Sequence, residues 1–264
     1  MSTDNINPFK GASQGNLPSP ILAVIAVVFI FLIAATVIAS LIVRSNIETV
    51  SQRNLDDAVE VAMEGINTDL TQGIDQIKAI QGLFNASDVV RRDEFEVFVR
   101  RFLEESKGIQ PLEWIPRVTA AQKEQFVDSI RKEGFEEFKI HPDTGSQDVF
   151  PVTYLAPFQG NAAALGFDLS SEEVRRAALM KAWETGEMAI TEPITLVQET
   201  GSQSAFLAYA PIYSSNDIPP TLQERKDLLV GFSLGVIRFG DFINSALPDS
   251  FDPNISVTVV DPIT

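Results

Sequence analysis

Hydrophobic and polar residues follow different rhythms in successive parts of this chain. From Ile21 to Val43 there is no alternation: the run ILAVIAVVFIFLIAATVIASLIV carries no charge, and only Thr36 and Ser40 are weakly polar. At about 1.5 Å per residue it spans roughly 34 Å as a helix, enough for a hydrocarbon core of about 30 Å. A cleaved signal peptide has an apolar run of roughly 7–15 residues behind a basic segment. This run is longer and has only Lys10 before it, so an uncleaved transmembrane helix is expected. After Arg44 the apolar positions Leu55, Val59, Ala62, Ile66, Leu70, Ile74 and Ile77 recur in steps of three and four, and no proline interrupts the chain between Ile21 and Gln110. That spacing predicts a stalk helix continuing to about Phe84. A second amphipathic helix is predicted over Arg92–Ser106, where Phe95, Phe98, Val99 and Phe102 share a face and Gly108 ends the run.

The rhythm then shortens. IQPLEWIPRVT reads as a strand kinked by Pro111 and Pro116, Gln122–Glu133 as a polar helix ended by Gly134, and Phe138–Ile140 as the start of a strand. Asp148–Tyr154, with Pro151 inside it, suits an edge strand. In Ala164–Tyr213 the S-x-x-E pair Ser170 and Glu173 predicts a capping box. The helix that follows turns Val174, Ala178 and Ala182 inward, flanked by Leu179 and Trp183, and runs to about Thr185 before Gly186. Met188–Thr191, Thr195–Gln198 and Ala205–Tyr213 then read as a three-stranded antiparallel meander. SSNDIPPTLQERKD has the composition of a connection, Leu228–Leu234 resumes strand character, Phe239–Leu247 is a short helix, and Ile255–Val260 is a strand. A strand without following partners suggests that the 264 residues are a piece of a longer protein.

Composition narrows the function. The net charge is −16, and no clustered basic face is present, which argues against nucleic acid as a partner. With no cysteine and one histidine, a disulfide framework, a thiolate metal site and a cysteine nucleophile are excluded. His141 sits in HPDTG and reads as a turn residue, and no metal or cofactor is expected. The pairs Glu172–Glu173 and Glu136–Glu137 lie in a cap turn and a polar segment, where carboxylates are solvated, and no P-loop, nucleophile elbow or zinc-protease motif occurs. Catalysis is therefore not expected of these residues.

Five islands in order, GIQPLEWIPRV, FPVTYLAP, NAAALGFDLSSEEVRRAAL, AWETGEMAIT and FLAYAPIY, resemble the CHASE domain, the extracellular sensory module that precedes histidine kinases and nucleotide cyclases. The resemblance covers roughly Ala79 to Pro248. It implies an α+β fold in which a transmembrane helix runs into a stalk helix and then into tandem PAS-like subdomains, antiparallel sheets with flanking helices. The expected organisation is a cytoplasmic tail over 1–20, a membrane span over 21–43, and a stalk over 44–84. A membrane-distal ligand-sensing subdomain over 85–222 and an incomplete membrane-proximal one over 223–264 follow. The domain would lie in the periplasm or outside the cell, anchored in the inner membrane, as a homodimer whose stalk face includes Leu55, Ala62, Ile66 and Ile77. In the cytokinin-receptor members an aspartate before the capped helix takes purine N–H groups. Carried over, that aspartate is Asp168, the first pocket strand supplies Ile190 and Thr191, a turn threonine is Thr200, and a strand threonine becomes Tyr209. The added bulk of Tyr209 points to a different small ligand, adenine-like or another planar N–H donor. The competing expectation is a dimerisation or interaction ectodomain without a small ligand.

Overall fold

The computed structural model describes residues 19–105, 108–196, 204–215, 217–247 and 251. It falls into two compact units, 1–57 and 58–264. In the first, the described residues belong to the helix α1 (Ser19–Asn85), and their apolar side chains from Ile21 to Val43 are exposed wherever described. This is the one helix, among the described residues, long and apolar enough to cross a membrane. α1 ends at Asn85, one residue beyond the expected Phe84.

The second unit is α+β. In chain order it contains α2 (Arg92–Glu105), β1 (Ile109–Pro116), β2 (Val118–Thr119), α3 (Lys123–Lys132), β3 (Asp148–Val149), β4 (Tyr154–Ala156), α4 (Glu173–Thr185), β5 (Ala189–Ile190), β6 (Ala205–Tyr213), α5 (Leu222–Leu228), β7 (Leu229–Arg238) and α6 (Phe239–Ala246). Five strands form an antiparallel sheet in the order β4-β1-β7-β6-β5, while β2 and β3 form a separate pair.

Register explains the layers. Leu112 pairs with Ala156 and Gly235, and Gly235 pairs with Ala208. Residues directly opposite share a face. That face carries Trp114, Ala210, Ile212 and Ile237 as well, and packs with Ile77 and Ile80 of α1 and Phe95 and Val99 of α2. One residue along, Glu113 pairs with Leu155 and Leu234, Leu234 with Tyr209, and Tyr209 with Ala189. This opposite face packs with Phe150, Val152 and the α4 residues Ala178, Leu179, Ala182 and Trp183. A smaller cluster of Val118, Ile130, Phe138, Ile140 and Val149 lies under α3.

Several expectations are corrected. The strand expected to open a following subdomain, Leu228–Leu234, is β7 and sits between β1 and β6 at the sheet's centre. It can do so because its apolar residues suit two buried faces, a pattern that is silent about which sheet receives it. Of the proposed stalk-pairing face, Ala62 is buried, Ile77 is buried in the domain's own core and Ile66 packs against that core; Leu55 is exposed. Phe138–Ile140 forms no strand, although Phe138 and Ile140 are buried. The middle strand of the meander is absent where it is described: Thr195 and Leu196 are irregular, and Ile194 bridges Ala205. Val197 and Gln198, and the expected strand Ile255–Val260, lie outside the described residues. The polar connection hides α5, whose Thr221 and Glu224 form a reciprocal capping box; T-x-x-E was the available signal.

The α1 face of the sheet tolerates no bulk at Gly235, where a Cβ would lie 2.6 Å from Ile77 Cδ1 and 2.8 Å from Ile109 Cγ2. Gly235→Val, though favourable to strand conformation, is expected to destabilise by about 1–3 kcal/mol through overpacking. Gly82→Ala, where a Cβ meets nothing within 4 Å, should be neutral or stabilising. Thermal melts of the two variants test this, and an unchanged melting temperature for Gly235→Val would contradict the packing.

Candidate functional site

The α4 face of the sheet holds the candidate chemistry. α4 begins differently from the S-x-x-E expectation: its N-cap is Glu172, whose carboxylate accepts from the backbone N–H of Val174 and Arg175, each at 3.2 Å. Burial pushes the Glu172 carboxyl upward, but the Arg175 and Val174 amides and the Arg175 guanidinium together bring it below the usual glutamate range. Ser170 instead belongs to a short 3-10 turn, Leu169–Ser171, capped by Asp168. A residue with two nearby amide donors and a reachable guanidinium outcompetes a serine for the cap. At the other end Gly186 takes φ 79° and its N–H donates to Ala182 O, closing the helix as expected.

Asp168 is fully buried. Its Oδ1 accepts from Phe150 N at 2.9 Å, Ser170 N at 3.0 Å and Ser170 Oγ at 2.7 Å, so the carboxylate braces the loop against the strand-like Phe150 segment. Its Oδ2 is buried and has no hydrogen-bond partner. Thr191 is buried and closes the continuation of β5 onto β6: its N–H donates to Leu207 O, and its Oγ1 accepts from Leu207 N, both at 3.0 Å. Ile190, on the opposite side of that edge, is 48% exposed. Both line a cleft of about 460 Å³ against Glu173, Val174, Ala177, Ala178 and Lys181 of α4 and its neighbouring Glu192. Tyr209 lies inside the core, its ring 5.9 Å from that of Phe232 in a T-shaped pair, and its hydroxyl has no partner. Burial raises that phenol well above its ordinary range, Arg175 opposes the rise, and Glu113 and Glu172 add to it. The structure thus brings Ile190 and Thr191 to the cleft and places Asp168 and Tyr209 in the protein interior. Thr200 lies outside the described residues.

Two residues of this core were not singled out from sequence. Glu113 is buried on β1, and no hydrogen bond reaches its carboxyl among the described residues. Burial raises its pKa from 4.5 to about 8, partly opposed by Arg175. The signal for it was a lone charge within an otherwise apolar strand, PLEWIP. Arg175 is buried too, on the inward face of α4 with Ala178, Leu179, Ala182 and Trp183, while the expected Val174 is half-buried and packs against the same core. Its Nη1 donates to Glu172 Oε2 at 3.1 Å, its Nη2 to Thr195 O at 2.8 Å, and its guanidinium lies 5.4 Å from the Phe167 ring centre. His141 Nε2 lies 3.3 Å from Leu165 O, and its backbone bridges Phe167, which makes it part of a turn framework. Among the described residues no cluster of metal-ligating side chains occurs.

Glu113 ties stability to pH. The folded state keeps a proton that the unfolded chain has already released, so the stabilisation is complete below about 4.5 and is lost as pH rises through about 8. Melting temperature should therefore fall between pH 6 and pH 9, and Glu113→Gln, which stays neutral, should flatten that fall. A fall of equal size in both proteins would show that another group carries it.

A profile of the CHASE domain matches residues 88–264 of the chain. The chain is also 19% identical over 249 residues, 87% of its length, to the hybrid signal transduction histidine kinase A of Dictyostelium discoideum. It spans 11% of the length of that relative.

Proposed function

Because the chain belongs to the CHASE domain family, a family of sensor domains in signalling receptors, we propose that it is the extracytoplasmic ligand-sensing part of a membrane receptor. In this reading the apolar part of α1 anchors the chain in the inner membrane with its N-terminus in the cytoplasm. The α+β unit, PAS-like in organisation, lies in the periplasm or outside the cell. A small molecule bound between α4 and the sheet biases a two-state equilibrium that α1 carries to a cytoplasmic histidine kinase or nucleotide cyclase. The observation that carries it is the Asp168 carboxylate, fully buried with one oxygen triply bonded to the loop and the other without a partner. A buried acceptor left open costs free energy unless a donor reaches it, and ligand sites are where such groups are retained. Ile190 and Thr191 line the cleft, and Tyr209, buried in the core, and Thr200 are assigned to the pocket by resemblance. The favoured ligand is planar, partly apolar and provides N–H donors.

A ligand found by thermal-shift screening of the full chain should stabilise it by about 2.7 kcal/mol at a hundred times its Kd. Asp168→Asn keeps an oxygen for the three loop bonds and replaces the open acceptor with a donor. It should fold with unchanged stability while binding roughly ten- to a hundredfold more weakly, the scale of a charge-assisted hydrogen bond of about 1.5–3 kcal/mol. Wild-type affinity in this variant would remove Asp168 from the site.

A second reading, an interaction ectodomain that works by dimerisation, is favoured by Val59 and Met63, which are 54% and 62% exposed one helical turn apart on α1. An exposed apolar pair at this spacing suits a second copy of the helix. Val59→Cys and Met63→Cys are expected to cross-link in membranes, whereas Ile77→Cys, buried against the sheet, should not. Absence of links at both exposed positions would reject the homodimer.

A further inference from the structure

Where α1 passes the end of α2, on the opposite side of the sheet from the α4 cleft, there is an open groove of about 690 Å³. Thr71, Gln72, Asp75, Gln76 and Ala79 of α1 and Phe102 of α2 are among its lining residues. Steps of three and four along α1 set Thr71 and Gln72 beside Asp75, and Gln72 beside Gln76. Gln76 is only 4% exposed. Its Nε2 donates to Phe102 O at 3.5 Å, the outer limit of a hydrogen bond, and its Oε1 is buried with no partner. Phe102 stands in the last turn of α2, whose terminal carbonyls carry the negative end of the helix dipole, and no basic residue occupies that turn. Asp75 is exposed and belongs to none of the ion pairs among the described residues. Thr71 donates its hydroxyl hydrogen to Asn67 O at 2.8 Å, which leaves the hydroxyl oxygen as an acceptor. A carboxylate, an open amide oxygen and a hydroxyl oxygen thus meet at one groove, with no cationic side chain among its described lining.

We propose that this groove is a second binding site, separate from the α4 cleft, and that it takes a primary ammonium carried on a short apolar stem. An ammonium has three donors and no acceptor, which matches acceptors supplied by Asp75, Thr71 and Gln76. The end of α2 adds its partial negative charge. The terminal torsion of a glutamine amide is soft, and the one bond that Gln76 makes is long, so a small turn presents Oε1 to a donor in the groove. Ala79 gives the stem an apolar surface, and Phe102 an aromatic one on which a cation rests. A divalent metal fits the groove poorly. Calcium takes roughly 6–8 oxygen ligands, several of them from carboxylates, whereas Asp75 is the one carboxylate of the described lining and no cluster of metal-ligating side chains occurs among the described residues.

The test titrates the full chain, in phosphatidylcholine nanodiscs, with 1,4-diaminobutane, with 1,4-butanediol as its uncharged counterpart and with calcium chloride as the metal. Calorimetry should show saturable binding of the diamine, weakened by salt, and none of the diol. Asp75→Asn, at an exposed position, should bind the diamine roughly twofold to fivefold more weakly, the scale of an exposed ion pair. Gln76→Met fills a similar space without the open acceptor. It should bind roughly fivefold more weakly, the scale of one hydrogen bond, while its melting temperature holds or rises. A lower melting temperature with unchanged affinity would return Gln76 to a structural role and overturn the proposal. Thr71→Val, also exposed, should weaken binding too and keeps the test decisive if Gln76→Met does not fold. Wild-type affinity in both Asp75→Asn and Thr71→Val would mean a general attraction to an acidic chain. Binding of the diol as strong as that of the diamine, or tighter binding of calcium, would equally overturn the proposal. The groove and the α4 cleft share no lining residue among those described, so Asp168→Asn should bind the diamine as the wild type does. Loss of the diamine in that variant would place the amine in the α4 cleft instead, against the proposal.

Discussion

The constraint on which the second unit depends is that its three central strands are apolar on both faces. In β1, β7 and β6 residues of both parities are buried, so a sheet made of them has two faces to cover and no face to offer to water. α1 and α2 cover one side and α4 with the Phe150 segment covers the other. The C-terminal turns of α1, from Ile66 to Phe84, are consequently part of the core. Ile77 and Ile80 are almost inaccessible, and the buried Ser233 hydroxyl at the centre of the sheet donates to Ile77 O at 3.0 Å. A closely packed contact of this kind transmits displacement, because side chains at native density have little room to absorb it.

The two cores differ in chemistry. On the α1 side the strands contribute aromatic and aliphatic groups besides the paired Ser233 hydroxyl, with Trp114 stacked on Phe84 at 3.9 Å between ring centres. On the α4 side the polar groups fall into two classes. Trp183 donates to Arg225 O at 2.9 Å, Tyr213 donates to Trp183 O at 3.1 Å, and Thr191 is locked to Leu207; these define how α4, α5 and the sheet edge meet. The Tyr209 hydroxyl and one oxygen of Asp168 define nothing of the kind, since each lacks a hydrogen-bond partner. Such unpartnered buried oxygens are uncommon in a packed core, where polar groups are nearly always paired.

The sequence by itself determined the parts that depend on local rules. The uncharged run, the three- and four-residue spacing after Arg44, the helix ending at Gly186 and the strands around Trp114 and Ala208 follow from periodicity and backbone preference, and the structure has them within a few residues. The order of five sequence islands was enough for the family. What remained hidden was decided by competition and by distance along the chain. Glu172 displaced Ser170 as the cap of α4 because Arg175 reinforces it, a preference visible only once side chains are placed. β7 became the centre of the sheet because strand pairing is non-local, and an apolar strand carries no label for its neighbours. Ile66 and Ile77 turned to the domain's own core for the same reason: a helical stripe states that a face is buried, and tertiary structure alone states against what. The open oxygens of Asp168 and Tyr209 belong to that second kind of information. Whether a buried polar group is satisfied depends on atoms brought from β6 and the loop before α4, residues that no local pattern connects.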